Sequence, residues 1–401
     1  MQTTGWTPRL WALVLVLSGN MLIDALEVST SVVALPSVAG EFRLSPGASG
    51  AVMIAFALGF GGSIVAGGHL IARFGRRPAY LWAMVAFVLA SFAGGLAPDL
   101  PTLLATRVVK GICVALTAPT GLAIIAAVFR EGPGRARAVA VYSLFAASGF
   151  SAGLVLAGLL TEVSWRWALA CSGPVALILL AFAARLIPPD GPSLAAASRA
   201  VPAAFPPSLW RSAAGGAILN GTFWTFLLVV TFQAQTVQGW SPARTGLALL
   251  PSSLPVVFCT PYATRLLGRF GPGPLIAAGS AAACAGYAWY FVAGGRAGFG
   301  TALLPAAVLV GVAFAASFAA LNAQAMAQCP PGAQQRFGGV FQTAVQVGGA
   351  TMLVLAALVT GARFASTLTL ILAVAVAGFS VALAGVLVSK EKGTKQWSSN
   401  L

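Results

Sequence analysis

Two carboxylates stand where carboxylates are costly. Asp24 and Glu27 lie inside an apolar run spanning approximately residues 10–35, and of the eight acidic residues in the chain only these two sit deep within such a run. An ionised, unpaired carboxylate at a bilayer centre costs roughly 2.5–3.5 kcal/mol or more, so its presence there marks a functional candidate. Asn20, Asp24, Glu27 and Ser31 are spaced i, i+4, i+7 and i+11, which gathers them on one helical face as a polar stripe. The stripe is expected to face a central cavity. The matching bases are Arg107 and Lys110, at i and i+3 and likewise deep within an apolar run. Counting about 1.5 Å per residue from the far ends of their helices places Glu27 roughly 13 Å deep and Lys110 roughly 12 Å deep.

Two acids facing two bases at one depth make a formally neutral set. Burial and a neighbouring cation act oppositely on a carboxylate's affinity for its proton. A carboxylate that loses and regains its cation as the protein changes shape would therefore exchange protons with opposite sides of a membrane. A static buried ion network is the alternative reading of the same residues. Substrate contacts are expected from Asn20 and Ser31 of the stripe, from Asn220 and Trp224, from Gln342 and Gln346, and from Tyr142. Each of the pairs Asn220–Trp224 and Gln342–Gln346 is four apart and presents a polar edge, although amides between membrane helices also serve as interhelical glue. Other chemistry lacks material. The cysteines Cys113, Cys171, Cys259, Cys284 and Cys329 show no CxxC spacing and His69 is the single histidine, so no metal or Cys/His cluster is expected and no cofactor is called for.

The elements that must carry these residues follow from composition. The 401 residues are 58% hydrophobic and 8% charged, whereas soluble domains average about 25% charged. The formal charge of +15 is spread between apolar runs instead of clustered on a polar face, which excludes nucleic acid as a partner and leaves the lipid bilayer. A membrane helix needs about 20 apolar residues. Breaking the chain at its Arg, Pro and Gly clusters gives twelve spans, approximately 10–35, 49–71, 78–97, 102–128, 137–160, 167–187, 210–235, 245–267, 273–293, 301–327, 337–360 and 366–388. A segment rich in Pro, Ala and Ser separates two sets of six, so the expected units are residues 1–188, a cytoplasmic linker over 189–208, and residues 209–401. With the amino terminus inside, sixteen of the bases fall on the cytoplasmic side and five opposite, which predicts cytoplasmic termini. The first apolar run continues to Pro36, holds two acids and is followed by many others, so it reads as a retained helix and not a cleaved signal.

The halves share a motif. HLIARFGRRP at 69–78 and RLLGRFGPGP at 265–274 repeat Leu, Arg-Phe-Gly and Pro at an offset of 196, each closing the second helix of its half. Internal repeats of this kind build a midplane site between two bundles that rock against each other.

GHLIARFGRRPAYL at 68–81 resembles the loop between helices two and three of the major facilitator superfamily, G-x-L-A-D-R-x-G-R-R, with Gly68, Leu70, Arg73, Gly75, Arg76 and Arg77 in register and Arg269 and Gly271 in the second copy. EVSTSVVALPSV, RVVKGICVALTAPTGLAI, the WRW at 165–167 and QTVQGWSPARTGLALLP are similar to the drug:proton antiporter branch that usually has fourteen helices. The resemblance covers nearly the whole chain. It implies an all-α polytopic major facilitator fold of twelve helices in two six-helix bundles related by an internal repeat, acting as a monomer by alternating access. It also implies proton-coupled efflux of an organic small molecule such as an antibiotic across the bacterial inner membrane, driven by the proton gradient. Arg107 occupies the arginine of the family's R-x-x-Q-G pattern, associated there with proton transfer, and Lys110 replaces the glutamine. The acid of the loop motif is Ala72 here and Gly268 in the second copy, so the family's inner latch lacks its carboxylate. The helix-five motif G-x-x-x-G-P-x-x-G-G survives as Gly149, Gly153 and Gly158, with Leu154 and Ala157 at a proline and a glycine position. A proton-coupled importer or facilitator is the rival within transport. A membrane enzyme or receptor finds no reactive cluster, nucleotide-binding loop or added soluble domain to rest on.

Overall fold

The computed structural model describes residues 6–189, 205–293, 298–330, 333–360 and 364–398, and these are almost wholly helical. In chain order the helices are α1 Pro8–Phe42, α2 Pro46–Ser49, α3 Ala51–Phe74, α4 Arg76–Gly95, α5 Leu100–Val128, α6 Pro133–Val163, α7 Trp165–Ala170 and α8 Ser172–Leu186. They continue as α9 Pro207–Phe232, α10 Pro242–Phe270, α11 Pro272–Val292, α12 Leu304–Met326, α13 Gln334–Thr360 and α14 Phe364–Ser398. Most of the expected linker lies outside the described residues.

The starts of these helices are written in short polar-proline signals. Thr7 before Pro8 accepts a hydrogen bond from Leu10 N at 3.4 Å, and Ser241 before Pro242 accepts one from Arg244 N at 3.2 Å. Asp99 does the same for Thr102 N at 2.8 Å, and these bonds from Thr102 hold its carboxyl below the usual range. A side-chain acceptor satisfies an otherwise orphaned amide, and Pro at the first helical position has no amide to orphan.

Among the described residues eleven helices are long and apolar enough to cross a membrane, and the twelfth expected span is α10, bent by 57° between Pro242–Thr260 and Tyr262–Phe270. The sequence has a proline at position 261, between the two segments, and proline is a residue at which helices kink. Helix α1 does not stop near Pro36 as its apolar run suggested; it continues through that proline to Phe42.

The two sets of spans pack alike. In the first, α1 lies along α6, α3 and α4 flank α5, and α4 meets α8; in the second, α9 lies along α13, α10 and α11 flank α12, and α11 meets α14. The repeated loop motif serves both copies in one way. Gly75 and Gly271 end α3 and α10 with φ of 92° and 76°, a conformation that side chains with a Cβ avoid, so each turns the chain directly into the next helix. Arg76 and Arg77 then donate to the carbonyls of Ala123 and Ala184 at 3.0 and 2.8 Å, near the ends of α5 and α8. Gly68 and Arg73 stay in the last turns of α3, Arg73 exposed. Arg73 lies 5.4 Å from the Phe74 ring and Arg269 5.2 Å from the Phe270 ring.

Helix α1 begins at what is here called the proximal face and ends at the distal face. Between the halves α6 packs along α10 and α3 along α13, with contacts at midspan and at the distal face. Ser151 Oγ donates to Ser253 Oγ at 2.8 Å, Thr343 Oγ1 to Gly61 O at 3.0 Å and Gln235 Nε2 to Val33 O at 3.0 Å. The helix-five glycines divide between two jobs. A Cβ on Gly149 would strike Leu22 O, and one on Gly153 would strike Ser29 Oγ, both on α1; one on Gly158 would come within 2.9 Å of Ala243 Cα on α10. Small residues let backbones approach this closely. Gly149→Val is therefore expected to lower stability by about 1–3 kcal/mol through overpacking of α1 on α6. Thermal unfolding of the detergent-solubilised protein measures it, and an unchanged midpoint would contradict the contact.

Candidate functional site

The α1 stripe, expected to face a central cavity, makes its contacts within the first six spans, with α5 and α8. Glu27 is 1% exposed and its carboxylate is saturated. Oε1 accepts from Lys110 Nζ at 2.7 Å and from Ser172 Oγ at 2.5 Å, while Oε2 accepts from Arg107 Nη1 at 2.5 Å. Arg107 Nη2 reaches the Glu27 carbonyl at 3.2 Å, so guanidinium and backbone are locked together. Lys110 completes its bonds on Leu169 O at 2.8 Å and Ser172 Oγ at 3.3 Å. The interruption at Cys171 between α7 and α8 sets that carbonyl and that hydroxyl side by side. Aromatic rings cover the cations: Phe56 lies 4.8 Å from the Arg107 guanidinium carbon and Phe87 5.2 Å from Lys110 Nζ. Ring faces attract desolvated cations. Removing charges from water is costly unless geometry and hydrogen bonds are both good, and at Glu27 both are.

This arrangement corrects the neutral pairing of two acids with two bases. Glu27 takes both bases, and the resulting cluster carries one net positive charge. Asp24 is left apart. Its Oδ2 accepts from Asn20 Nδ2 at 3.3 Å and from Thr117 Oγ1 at 3.4 Å, both long, and among the described residues no cation pairs with it. Asp24 and Asn20 are each 5% exposed, more than Glu27. Ser31 is buried and donates to Glu27 O at 3.0 Å, so it offers no free polar edge.

The other expected contacts fall within their own halves. Tyr142 donates to Ala118 O at 2.8 Å and ties α6 to α5. Asn220 donates to Val345 O at 2.9 Å and ties α9 to α13, while Trp224 packs against Gly349. Gln342 and Gln346 differ: each keeps a buried side-chain oxygen with no partner, and Gln346 borders Gly61 of α3 across the seam between the halves. Ser172, Thr117 and Tyr80 were not singled out from sequence, since single hydroxyls in apolar helices carry no periodic signal.

Comparison with known proteins agrees with this architecture. The profile of the Major Facilitator Superfamily matches residues 17–353. The chain belongs to that superfamily. It is thus a multi-pass membrane transporter and not an enzyme, and its substrate is a small molecule. It is 30% identical to the puromycin resistance protein pur8 of Streptomyces alboniger over 85% of this chain and 80% of that protein. It is 24% identical to the tetracenomycin C resistance and export protein of Streptomyces glaucescens, covering 86% of this chain and 75% of that one. A solved bacterial homologue of the human lysosomal transporter Spinster, inward-facing and occupied, superposes with a TM-score of 0.77 over 95% of this chain and 98% of its own at 17% identity, a likeness of fold.

Proposed function

We propose that this transporter exports an organic small molecule, such as an antibiotic or another secondary metabolite, in exchange for protons across the bacterial inner membrane, with both termini cytoplasmic. The observation that carries the reading is the buried acid-base set of α1 and α5, which lies in one half of a two-bundle transporter and includes, in Asp24, a carboxylate without a cationic partner among the described residues. The proximal face then meets the cytoplasm, in accord with the excess of basic residues there. The halves touch at the distal face, a state in which an exporter takes up its cargo from the cytoplasm. The relatives named for puromycin and tetracenomycin C support an antibiotic-sized cargo. Because the Glu27 cluster is positive and Asp24 balances it, the charge tally favours neutral, zwitterionic or anionic cargo over the cationic drugs that need surplus acid. The uncommitted amide oxygens of Gln342 and Gln346, the latter bordering the seam between the halves, suit a polar group on such a molecule.

Expression in a drug-sensitive bacterium is expected to raise tolerance to at least one of puromycin, tetracenomycin C or lincomycin, and a protonophore to abolish the gain. Accumulation of a responding drug, measured with and without the protonophore, separates export from uptake. If cells bearing the transporter accumulate more of it, the direction is wrong.

A further inference from the structure

We infer that the proximal end of the first half holds the headgroup of an anionic phospholipid, between the turn from α3 to α4 and the end of α8. Arg73, Arg76 and Arg185 are its cationic contacts, and Trp82 lies beside its acyl chains. The turn at Gly75 brings Arg73, in the last turn of α3, next to Arg76 and Arg77, the first residues of α4. Arg76 Nη1 reaches Ala123 O on α5 at 3.0 Å and Arg77 Nη2 reaches Ala184 O on α8 at 2.8 Å, which sets this turn against the last turn of α8, where Arg185 follows. Those carbonyls are neutral. Arg76 keeps a buried Nε without a hydrogen-bond partner, and Arg73 and Arg185 are exposed. Among the described residues none of these three is in an ion pair. No described acid answers them: Asp24 and Glu27 are buried in α1, and Glu41, Asp99 and Glu162 stand at the distal ends of α1, α5 and α6. Glu131 reaches into solvent, 94% exposed, beside Arg135 at 3.6 Å.

Guanidinium groups without a counter-ion call for an anion, and the surface beside them specifies an amphiphile. Helix α4 packs on α8, and on the outer side of the pair Trp82 is 72% exposed and Phe182 51%. Trp82 lies about 8 Å along α4 from Arg77, and Phe182 one turn before Arg185 on α8, so both rings stand on the membrane side of the arginines. Tryptophan settles at the level of lipid headgroups. A phosphodiester takes paired N–H donors from guanidinium groups, and with its phosphate on the arginines a phospholipid runs its chains past these rings. A free phosphate fills only the first part of the site. The repeat supplies an internal control. In the second copy Pro272 and Gly273 stand where Arg76 and Arg77 do, so the turn from α10 to α11 keeps Arg269 without the neighbouring pair. The anion site therefore belongs to one half of the transporter.

Native mass spectrometry of the purified, delipidated full chain in detergent tests the assignment. The protein is titrated with phosphatidylglycerol, with phosphatidylcholine of the same chains, and with inorganic phosphate as competitor. A basic side chain near the leaflet surface contributes about fivefold to the binding of anionic lipid. Three arginines therefore predict a preference of about a hundredfold for phosphatidylglycerol over phosphatidylcholine, with phosphate unable to displace the lipid. The double variant Arg73→Gln with Arg185→Gln alters two exposed side chains, so it folds, and it is expected to lose about 25-fold of that preference. Arg269→Gln, in the second copy, is expected to leave it unchanged, and Trp82→Ala to weaken both lipids alike. Equal binding of the two lipids by the native chain overturns the inference. So does a preference that survives the double variant, or one that falls as far in Arg269→Gln, which would make it a matter of overall charge. Displacement by inorganic phosphate would show a site for a free anion and not for a lipid. Neither cargo nor a proton gradient enters the measurement, so its outcome is independent of the export reading.

Discussion

Glu27→Gln is expected to cost about 3–5 kcal/mol of stability, the range found when one partner of a buried ion pair is removed and the remaining charge is stranded. Here two charges are stranded. Arg107 and Lys110 are at most 2% exposed, and with a neutral amide between them each loses its counter-ion while repelling the other. Lys110→Met is the milder change, because Glu27 keeps the guanidinium on Oε2 and the Ser172 hydroxyl on Oε1. It forfeits only the ammonium bonds, and a methionine fits the space beside Phe87. The double variant Glu27→Gln with Lys110→Met is expected to recover part of the loss of the first, giving a coupling of the sign and size of contacting residues, about 0.5–3 kcal/mol. Thermal midpoints and the monodisperse fraction of solubilised protein, compared across the four proteins, measure this cycle. Equal stability of Glu27→Gln and the native chain would mean that Glu27 does not hold the cations.

That cycle also shows what could be seen from sequence. The spans, the repeat and the placement of Glu27, Arg107 and Lys110 at one depth were legible because each is a one-dimensional signal: hydropathy, a recurring Arg-Phe-Gly, and a count along two helices. Which acid takes which base was not. Asp24 and Glu27 differ by three residues and fall on nearly the same helical face, so the choice between them depends on Ser172 and Leu169 O, delivered by the break at Cys171 in a span far along the chain. The direction of the stripe was equally hidden, because a polar face can look toward a cavity or into its own bundle with the same period. The course of α1 past Pro36 and the bend of α10 illustrate one limit from both sides: proline permits a kink or a stop, and only the packing around it decides.

Gly246→Leu is expected to abolish transport while leaving both halves folded. A Cβ at Gly246 would strike Leu154 O and lie 3.5 Å from Gly158 Cα, and a Cβ at Gly158 would come within 2.9 Å of Pro242 O, so α6 and α10 meet here backbone to backbone. Beside them Ala243 N donates to Glu162 Oε1 at 3.3 Å, a carboxylate at the first turn of α10 where the helix dipole favours negative charge. The contact lies between the halves, so relief comes by separating them and not by unpacking either. Overpacking of a tight contact costs about 1–3 kcal/mol, which shifts the ratio of closed to open distal face by roughly five- to more than a hundredfold at about 1.4 kcal/mol per factor of ten. A transporter that cannot close this face cannot complete the cycle. Amide hydrogen exchange follows the change directly: segments 154–163 and 233–246 should exchange faster in Gly246→Leu, whereas α1 and α5 around Glu27 should keep their protection. Unaltered exchange at the distal face, with transport intact, would show that the α6–α10 contact is no gate. Loss of protection at Glu27 as well would show that the seam carries the fold of the first half, and that the halves are not the independent bodies that rocking requires.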